Sequence, residues 1–313
     1  MPFVPVQILT IVDNLPIDVN INYFLLYDTQ INKESKLKNI DYIRKFSSLY
    51  KNVNFTDIDV GDIELFAYLA RDGGNWSYAA YFPLVAHKLL PINVDRVLYL
   101  DAGDVFVQRD FREYYFTDFS DNFLIVTPAR YKAINNELKI YEGEDLYDLS
   151  LINGITRGVF NSGSYIMNLN LMRSMNFNEK TYMAFAERLT KMQADVTSKE
   201  HDFTYWGDQG FLSALFLGKI KYYGYPDIRN IWYMPFNFCL WYYDRMDMSP
   251  WYAPCIIHFA GVPKPWTIKY PYDTNLLTAF EASQQISDLK SGQREYYYTW
   301  HEYAIKADMI RKQ

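Results

Sequence analysis

The alternation of helical and strand-like patterns between residues 3 and 100 constrains the fold more than any other feature of the chain. Residues 3–14 read as a helix, and Val19–Tyr27 reads as a buried strand. Lys33–Tyr50 carries a lysine-rich helical period, while Val53–Val60 alternates as a strand does. Ser77–Leu90 reads as an apolar helix halted by Pro91, and Arg96–Leu100 is a further strand. Strands separated by helices form parallel βαβ units, which predicts a layered α/β fold. Ligands of such sheets gather at the carboxyl ends of the strands.

Beyond residue 110 the pattern loosens. Strands are predicted at Phe123–Thr127 and Ser164–Leu169, and helices at Glu179–Met192 and Gly210–Leu217. Asp227–Pro254 reads as an aromatic, irregular packed stretch, and Leu276–Gln313 as one or two helices. No internal repeat or linker interrupts the sequence. The expected organisation is one domain over residues 1–270 and a C-terminal helical extension over 271–313.

A formal charge of -6 and a pI near 5.3 argue against a broad nucleic-acid surface. The two cysteines, Cys239 and Cys255, lack paired zinc spacing. No apolar run approaches the length of a membrane span, and no secretory signal follows Met1, so the chain reads as cytoplasmic. The many tyrosines and phenylalanines are expected mainly in the core, with some lining a sugar site.

One segment carries chemistry at a strand end. In Asp95–Val107 (DRVLYLDAGDVFV) a buried strand runs into a turn holding Asp101 and Asp104, with Gly103 between them. Glycine permits a tight or positive-φ turn. Carboxylates there can hold Mg²⁺ or Mn²⁺ against a diphosphate leaving group. An ordinary Asp-Gly turn is the competing reading.

Together with the preceding SYAAYFPLVAHKLLP, this segment resembles glycosyltransferase family 8, whose members pass from a tyrosine-bearing helix through Leu-Leu-Pro and Asp-Arg-Val into a Leu-Asp-X-Asp metal site. Three further blocks follow in the family's order: FNSGSYIMNL from Phe160, GDQGFL from Gly207, and HFAGVPKPW from His258 to Trp266. The resemblance implies a GT-A type, Rossmann-like nucleotide-diphospho-sugar transferase fold with a mostly parallel sheet. It implies a retaining enzyme that moves glucose or galactose from a UDP-sugar to a glycan, lipid-linked saccharide or glycoprotein at the cell surface. Mn²⁺ (or Mg²⁺) would be held by Asp101, Asp104 and His258. Gly261 and Lys264 would meet the diphosphate, Asn161 and Asp208 the donor sugar. Gln209 would lie below the anomeric carbon, in a positioning or ion-stabilising role beside Asp208. As structural groups, Asn161 would be a turn residue, Asp208 a helix N-cap and His258 a hydrogen-bonded core histidine.

The sequence departs from the family at several points. Two residues separate the metal carboxylates rather than one. Matching from the left assigns Gly103 as second ligand, and matching from the right assigns Asp104, favoured because a glycine-assisted bulge can return it to the ion. Pro83 replaces an arginine, while Gly210 and Ser213 replace an aspartate and an asparagine. The chain starts after the family's first strand, so either the reading frame is truncated or that strand is missing. These departures leave a second reading, a nucleotide-binding or scaffold subunit without turnover. The aromatic and basic stretch Tyr296–Gln313 predicts either a packed helix or a peripheral contact at the inner face of a membrane.

Overall fold

The computed structural model describes residues 3–29, 32–61, 63–73, 77–127, 158–194, 204–223, 237–239, 255–260, 264–267 and 291–312. Gly261, most of the Asp227–Pro254 stretch and residues 276–290 lie outside the described residues.

Helix α1 (Val4–Asn14) is followed by β1 (Ile21–Tyr27), α2 (Lys33–Ser47) and β2 (Val53–Asp59). The α2 crossover returns the chain to the same end, so β1 and β2 pair in parallel from Ile21↔Val53 to Tyr27↔Asp59. Helix α3 (Glu64–Asp72) comes next. The single helix predicted over Ser77–Leu90 is not formed. Tyr78–Val85 is a 3₁₀ helix, and only Ala86–Leu89 (α4) is α-helical. Pro83 explains the difference, because it donates no hydrogen bond and its ring opposes the carbonyl four residues back.

The chain continues through β3 (Arg96–Leu100), β4 (Val105–Val107), α5 (Arg112–Tyr115) and β5 (Leu124–Val126). Next come β6 (Ser164–Asn168), α6 (Leu169–Ser174), α7 (Glu179–Ala194) and α8 (Gly207–Leu215). Strands β7 (Ile220–Tyr222), β8 (Asn237–Cys239) and β9 (Ile256–His258) precede α9 (Ser291–Lys312). One sheet has the order β3-β6-β5-β7 and another β4-β9-β8, with β1-β2 on their own. Parallel pairing holds for β1–β2, β5–β7 and β8–β9. Strand β6 runs antiparallel to β3 and β5, as β4 does to β9. Among the described residues no strand precedes α1, and β1 and β3 lie in separate sheets.

Both faces of the β6 sheet are covered. Tyr165 and Met167 join the cluster beneath α3, α7 and α8, while Ile166 turns to the cluster with Ile11, Val107 and Ile125. This is the two-residue period of a strand buried on both sides. Tyr81, Tyr114, Tyr165, Tyr182 and Tyr205 are fully buried, which places much of the tyrosine content in the core. Their phenols find main-chain partners where they can: Tyr182 donates to the Leu84 carbonyl at 2.8 Å and Tyr205 to that of Leu69 at 2.7 Å. Helix α9 buries Tyr297, Trp300 and Ala307 with α1 and α2, and three basic residues of its second half pair with acids: Lys306 with Asp13, Arg311 and Lys312 with Asp308.

Arg173 at the end of α6 fixes the approach to β3. Its guanidinium donates to the carbonyls of His87 (2.7 Å), Leu90 (3.2 Å), Pro91 (3.1 Å), Ile92 (3.3 Å) and Val94 (2.8 Å). The planar fork matches this loop, whereas a lysine could reach only part of it. Arg173→Ala is expected to lower stability by about 2–3 kcal/mol, the scale of lost charge-assisted bonds that leave carbonyls unsatisfied. Arg173→Lys should recover less than half of that loss. Urea unfolding measures both, with the midpoint falling at an unchanged slope.

Candidate active site

Asp101 leaves the end of β3 still tied to β6, its N–H donating to the Gly163 carbonyl at 2.9 Å. The chain then turns. Gly103 takes φ +84°, in the left-handed region open to glycine, and the Asp104 N–H reaches back to the Asp101 carbonyl at 3.3 Å. A side chain at Gly103 would also press on Phe3, whose Cβ lies 3.1 Å from where one would begin. The two carboxylates thus stand at the two ends of one glycine-dependent turn.

The third group comes from the far end of the chain. Pairing of β4 with β9 sets Val105 opposite His258, and the Phe259 N–H donates to the Asp104 carbonyl at 2.9 Å. His258 Nε2 then lies 3.3 Å from Asp101 Oδ2. One ligand atom from each of Asp101, Asp104 and His258 falls within 4.8 Å of the others. Two carboxylates and one imidazole suit a divalent cation such as Mn²⁺ or Mg²⁺. The Lys264 ammonium contacts the Asp104 carboxylate and donates to the Phe259 carbonyl at 2.8 Å, beside the same cluster.

Helix α8 begins three residues earlier than predicted, which brings Asp208 and Gln209 into its first turn. Its N-cap is Trp206, so Asp208 is not the cap that a purely structural role would make it. Asn161 spans the gap between α8 and His258: its Nδ2 donates to Gln209 Oε1 at 3.4 Å, and its Oδ1 lies 2.6 Å from His258 Nδ1. Two glycines clear the space. A Cβ on Gly158 would fall 2.4 Å from Gln209 Cγ, and one on Gly163 would fall 2.1 Å from His258 Cε1. Ser213 accepts the Val159 N–H at 3.0 Å and donates to the Gln209 carbonyl at 2.7 Å, tying α8 to the segment that leads to Asn161.

The three carboxyls differ electrostatically. Burial pushes Asp101 up, but hydrogen bonds from His258 and Tyr99 and the charges of His258 and Lys264 outweigh it and hold the group below the usual carboxylate range. Burial also raises Asp104, and here it outweighs the bond from Lys264. Asp208 is pushed up to about 8, first by burial and then by the nearby Asp101 charge.

The structure therefore brings Asp101, Asp104, His258 and Lys264 into one cluster and connects Asn161 and Gln209 to it, with Asp208 close enough to feel Asp101. Two supporting residues escaped the sequence reading. Tyr99 donates its phenol hydrogen to Asp101 Oδ1 at 2.7 Å, and its position two residues before Asp101 on a strand was the available signal. Gln7 donates to the carbonyls of Asp101 and Val105, each at 3.0 Å, and is itself held by the Tyr23 hydroxyl at 2.6 Å. A lone amide on an apolar helix was its signal.

Comparison with known proteins follows the same lines. A lipopolysaccharide 1,3-galactosyltransferase of Salmonella typhimurium is 28% identical over 128 residues, a match spanning 39% of this chain and 35% of the relative. The galactosyltransferase LgtC, solved in complex with donor and acceptor sugar analogues, superposes with a TM-score of 0.55 at 20% identity, covering 94% of this chain and 95% of LgtC. The glycosyltransferase GlyE of Streptococcus pneumoniae gives 0.53 at 14% identity, covering 98% of this chain and 60% of GlyE. At these identities the superpositions show a shared GT-A fold and no more. The sequence model of glycosyl transferase family 8 matches residues 7–269, and with that extent of agreement the chain belongs to glycosyltransferase family 8.

Proposed function

We propose that this protein transfers a hexose, glucose or galactose, from a UDP-sugar to a glycan, lipid-linked saccharide or glycoprotein of the cell surface, with retention at the anomeric carbon. The observation that carries the proposal is the cluster of Asp101, Asp104 and His258 at the end of β3 with Lys264 at its edge. A departing nucleoside diphosphate gathers negative charge, and a site that speeds departure must meet that charge with fixed positive groups. A divalent ion held by the three residues would supply Lewis-acid stabilisation of the leaving diphosphate. Lys264 adds a point charge beside it, and the family pattern assigns Gly261 to the same diphosphate. On this reading Asn161 and Asp208 orient the donor sugar. Gln209 lies below the anomeric carbon; an amide is a poor nucleophile, so it steadies the developing cation while the acceptor attacks from the front face. A cytoplasmic protein working at the inner face of a membrane fits such acceptors, and no helix among the described residues is long and apolar enough to cross one. The domain division at residue 270 belongs to the same proposal, with α9 as the extension.

A second reading is favoured by the separation of β1 from β3 and by Pro83: a family member that binds nucleotide or supports a partner transferase without turnover. Calorimetric titration with UDP and Mn²⁺ separates the two. Metal-dependent UDP binding is expected; its absence favours the scaffold.

For the enzyme, Asp101→Ala combined with His258→Ala should lower donor hydrolysis and transfer by about 10³-fold, the scale of several kcal/mol of lost charge stabilisation. Rates that survive this double substitution would remove the metal mechanism. A pH effect follows from Asp208. Its folded-state pKa of about 8 exceeds the ordinary 3.8, so the folded chain holds this proton longer than the unfolded chain. The stability it contributes is complete below about pH 4 and is lost as pH rises toward 8. In EDTA, Asp208→Asn should melt higher than the parent at pH 8, with the gain shrinking at pH 5.

A further inference from the structure

We propose that Asn161 is a positioning residue of the metal centre, fixing through His258 which ring nitrogen faces the ion. The inference rests on reading Asp101, Asp104 and His258 as the metal site. It assigns Asn161 a task distinct from contact with the donor sugar.

Main-chain geometry determines how the Asn161 amide is turned. The Gly163 N–H points at Oδ1 across 3.2 Å, and a backbone N–H can only donate, so the atom it meets is the amide oxygen. The same oxygen lies 2.6 Å from His258 Nδ1. An amide oxygen only accepts, so Nδ1 carries a hydrogen. In a neutral imidazole the lone pair then sits on Nε2, the nitrogen 3.3 Å from Asp101 Oδ2. A ring lone pair and a carboxylate oxygen that face each other across this distance repel unless a proton or a cation lies between them: a proton on Nε2 makes the bond to Asp101, and a bound cation takes the proton's place. The ligand nitrogen is thus presented to the place where the carboxylates converge.

The ring also has little freedom to turn away. His258 is buried and its imidazole lies against Gly163, where a Cβ would be 2.1 Å from Cε1 and 2.2 Å from Nδ1. Gly163 therefore serves twice, leaving room for the ring and supplying the N–H that orients the amide. Histidines that bind metals commonly donate their second nitrogen to an outer partner, and loss of that partner weakens the metal. Here the partner also reaches α8, since Asn161 Nδ2 donates to Gln209 Oε1 at 3.4 Å. One amide links the metal centre to the residue placed under the anomeric carbon.

The test measures metal affinity with no sugar present, which a role in sugar contact alone would not affect. Mn²⁺ is titrated calorimetrically into protein saturated with UDP, for the wild type, Asn161→Leu and Asn161→Asp. Leucine removes the acceptor at similar size, and Mn²⁺ affinity should fall by about 10–100-fold. Aspartate keeps an acceptor for Nδ1–H, so its affinity should stay within about threefold of wild type or rise. Melting curves in EDTA establish that the variants are folded, and Asn161→Ala carries the leucine expectation should that variant not fold. Affinity of the leucine or alanine variant within about twofold of wild type overturns the proposal, as does an equal loss in the aspartate variant. A wild type that binds no Mn²⁺ in UDP overturns the metal reading itself, and with it this one. A wild type that binds Mn²⁺ in UDP while the leucine and alanine variants keep its affinity overturns the Asn161 assignment alone.

Discussion

The pairing of β4 with β9 is the constraint on which the site depends. Each strand contributes three residues to the ladder, yet its register decides whether a histidine meets the carboxylate turn. Because side chains alternate across a strand, a slip of one residue would send His258 to the opposite face and bring Ile257 to the site. The register is held by burial. Val105, Phe106 and Val107 are enclosed on one strand, Ile256 and Ile257 on the other, and Phe106 and Ile257 share a cluster with α1 and α9 while Val105, Val107 and Ile256 share another. A slip would exchange these clusters as well as the histidine. Gln7 reinforces the arrangement from below by bonding the carbonyls on both sides of the Asp101–Asp104 turn.

This order is imposed on groups that repel one another. Asp101, Asp104 and Asp208 are drawn together in surroundings that penalise charge, and their departures from ordinary behaviour differ in direction as a result. Asp101 stays ionised because Tyr99 and His258 stabilise its charge; Asp208 keeps its proton partly because Asp101 does not. A bound cation would offset the repulsion between the Asp101 and Asp104 carboxylates. Shifted carboxyls gathered in one cluster are a mark of a functional site.

The sequence made much of this legible, and its misses have physical reasons. Strand and helix periods located α1, β1, α2, β2 and β3 to within a few residues, because each buries a regular face. The helix expected over Ser77–Leu90 failed on one residue, since periodicity records which side chains are apolar and not that Pro83 lacks an N–H. Alternation predicted parallel pairing where a helix connects neighbouring strands, as in β1–β2. It could not foresee β6 entering between β3 and β5 in the opposite sense, because that partner is distant in the chain. Motif spacing named Asp101, Asp104, His258 and Lys264. What it could not name were contacts made only by folding: Tyr99 on Asp101, Gln7 beneath the turn, and Asn161 against the histidine ring.

The departures from the family pattern look different once their surroundings are known. Pro83, in the place of an arginine, is buried among Phe82, Leu84 and Val85 in the 3₁₀ segment, so this position has become part of the core and contributes no charge to a donor. Ser213, in the place of an asparagine, bonds the Val159 N–H and the Gln209 carbonyl and so ties α8 to the segment before Asn161. The extra residue before Asp104 is absorbed by the positive φ of Gly103, and the second carboxylate still reaches the cluster. These changes leave Asp101, Asp104, His258 and Lys264 converged. A scaffold would gain nothing from holding the Asp101 and Asp104 carboxylates side by side, or from leaving Gly163 bare beneath an imidazole. That balance favours a centre arranged for catalysis.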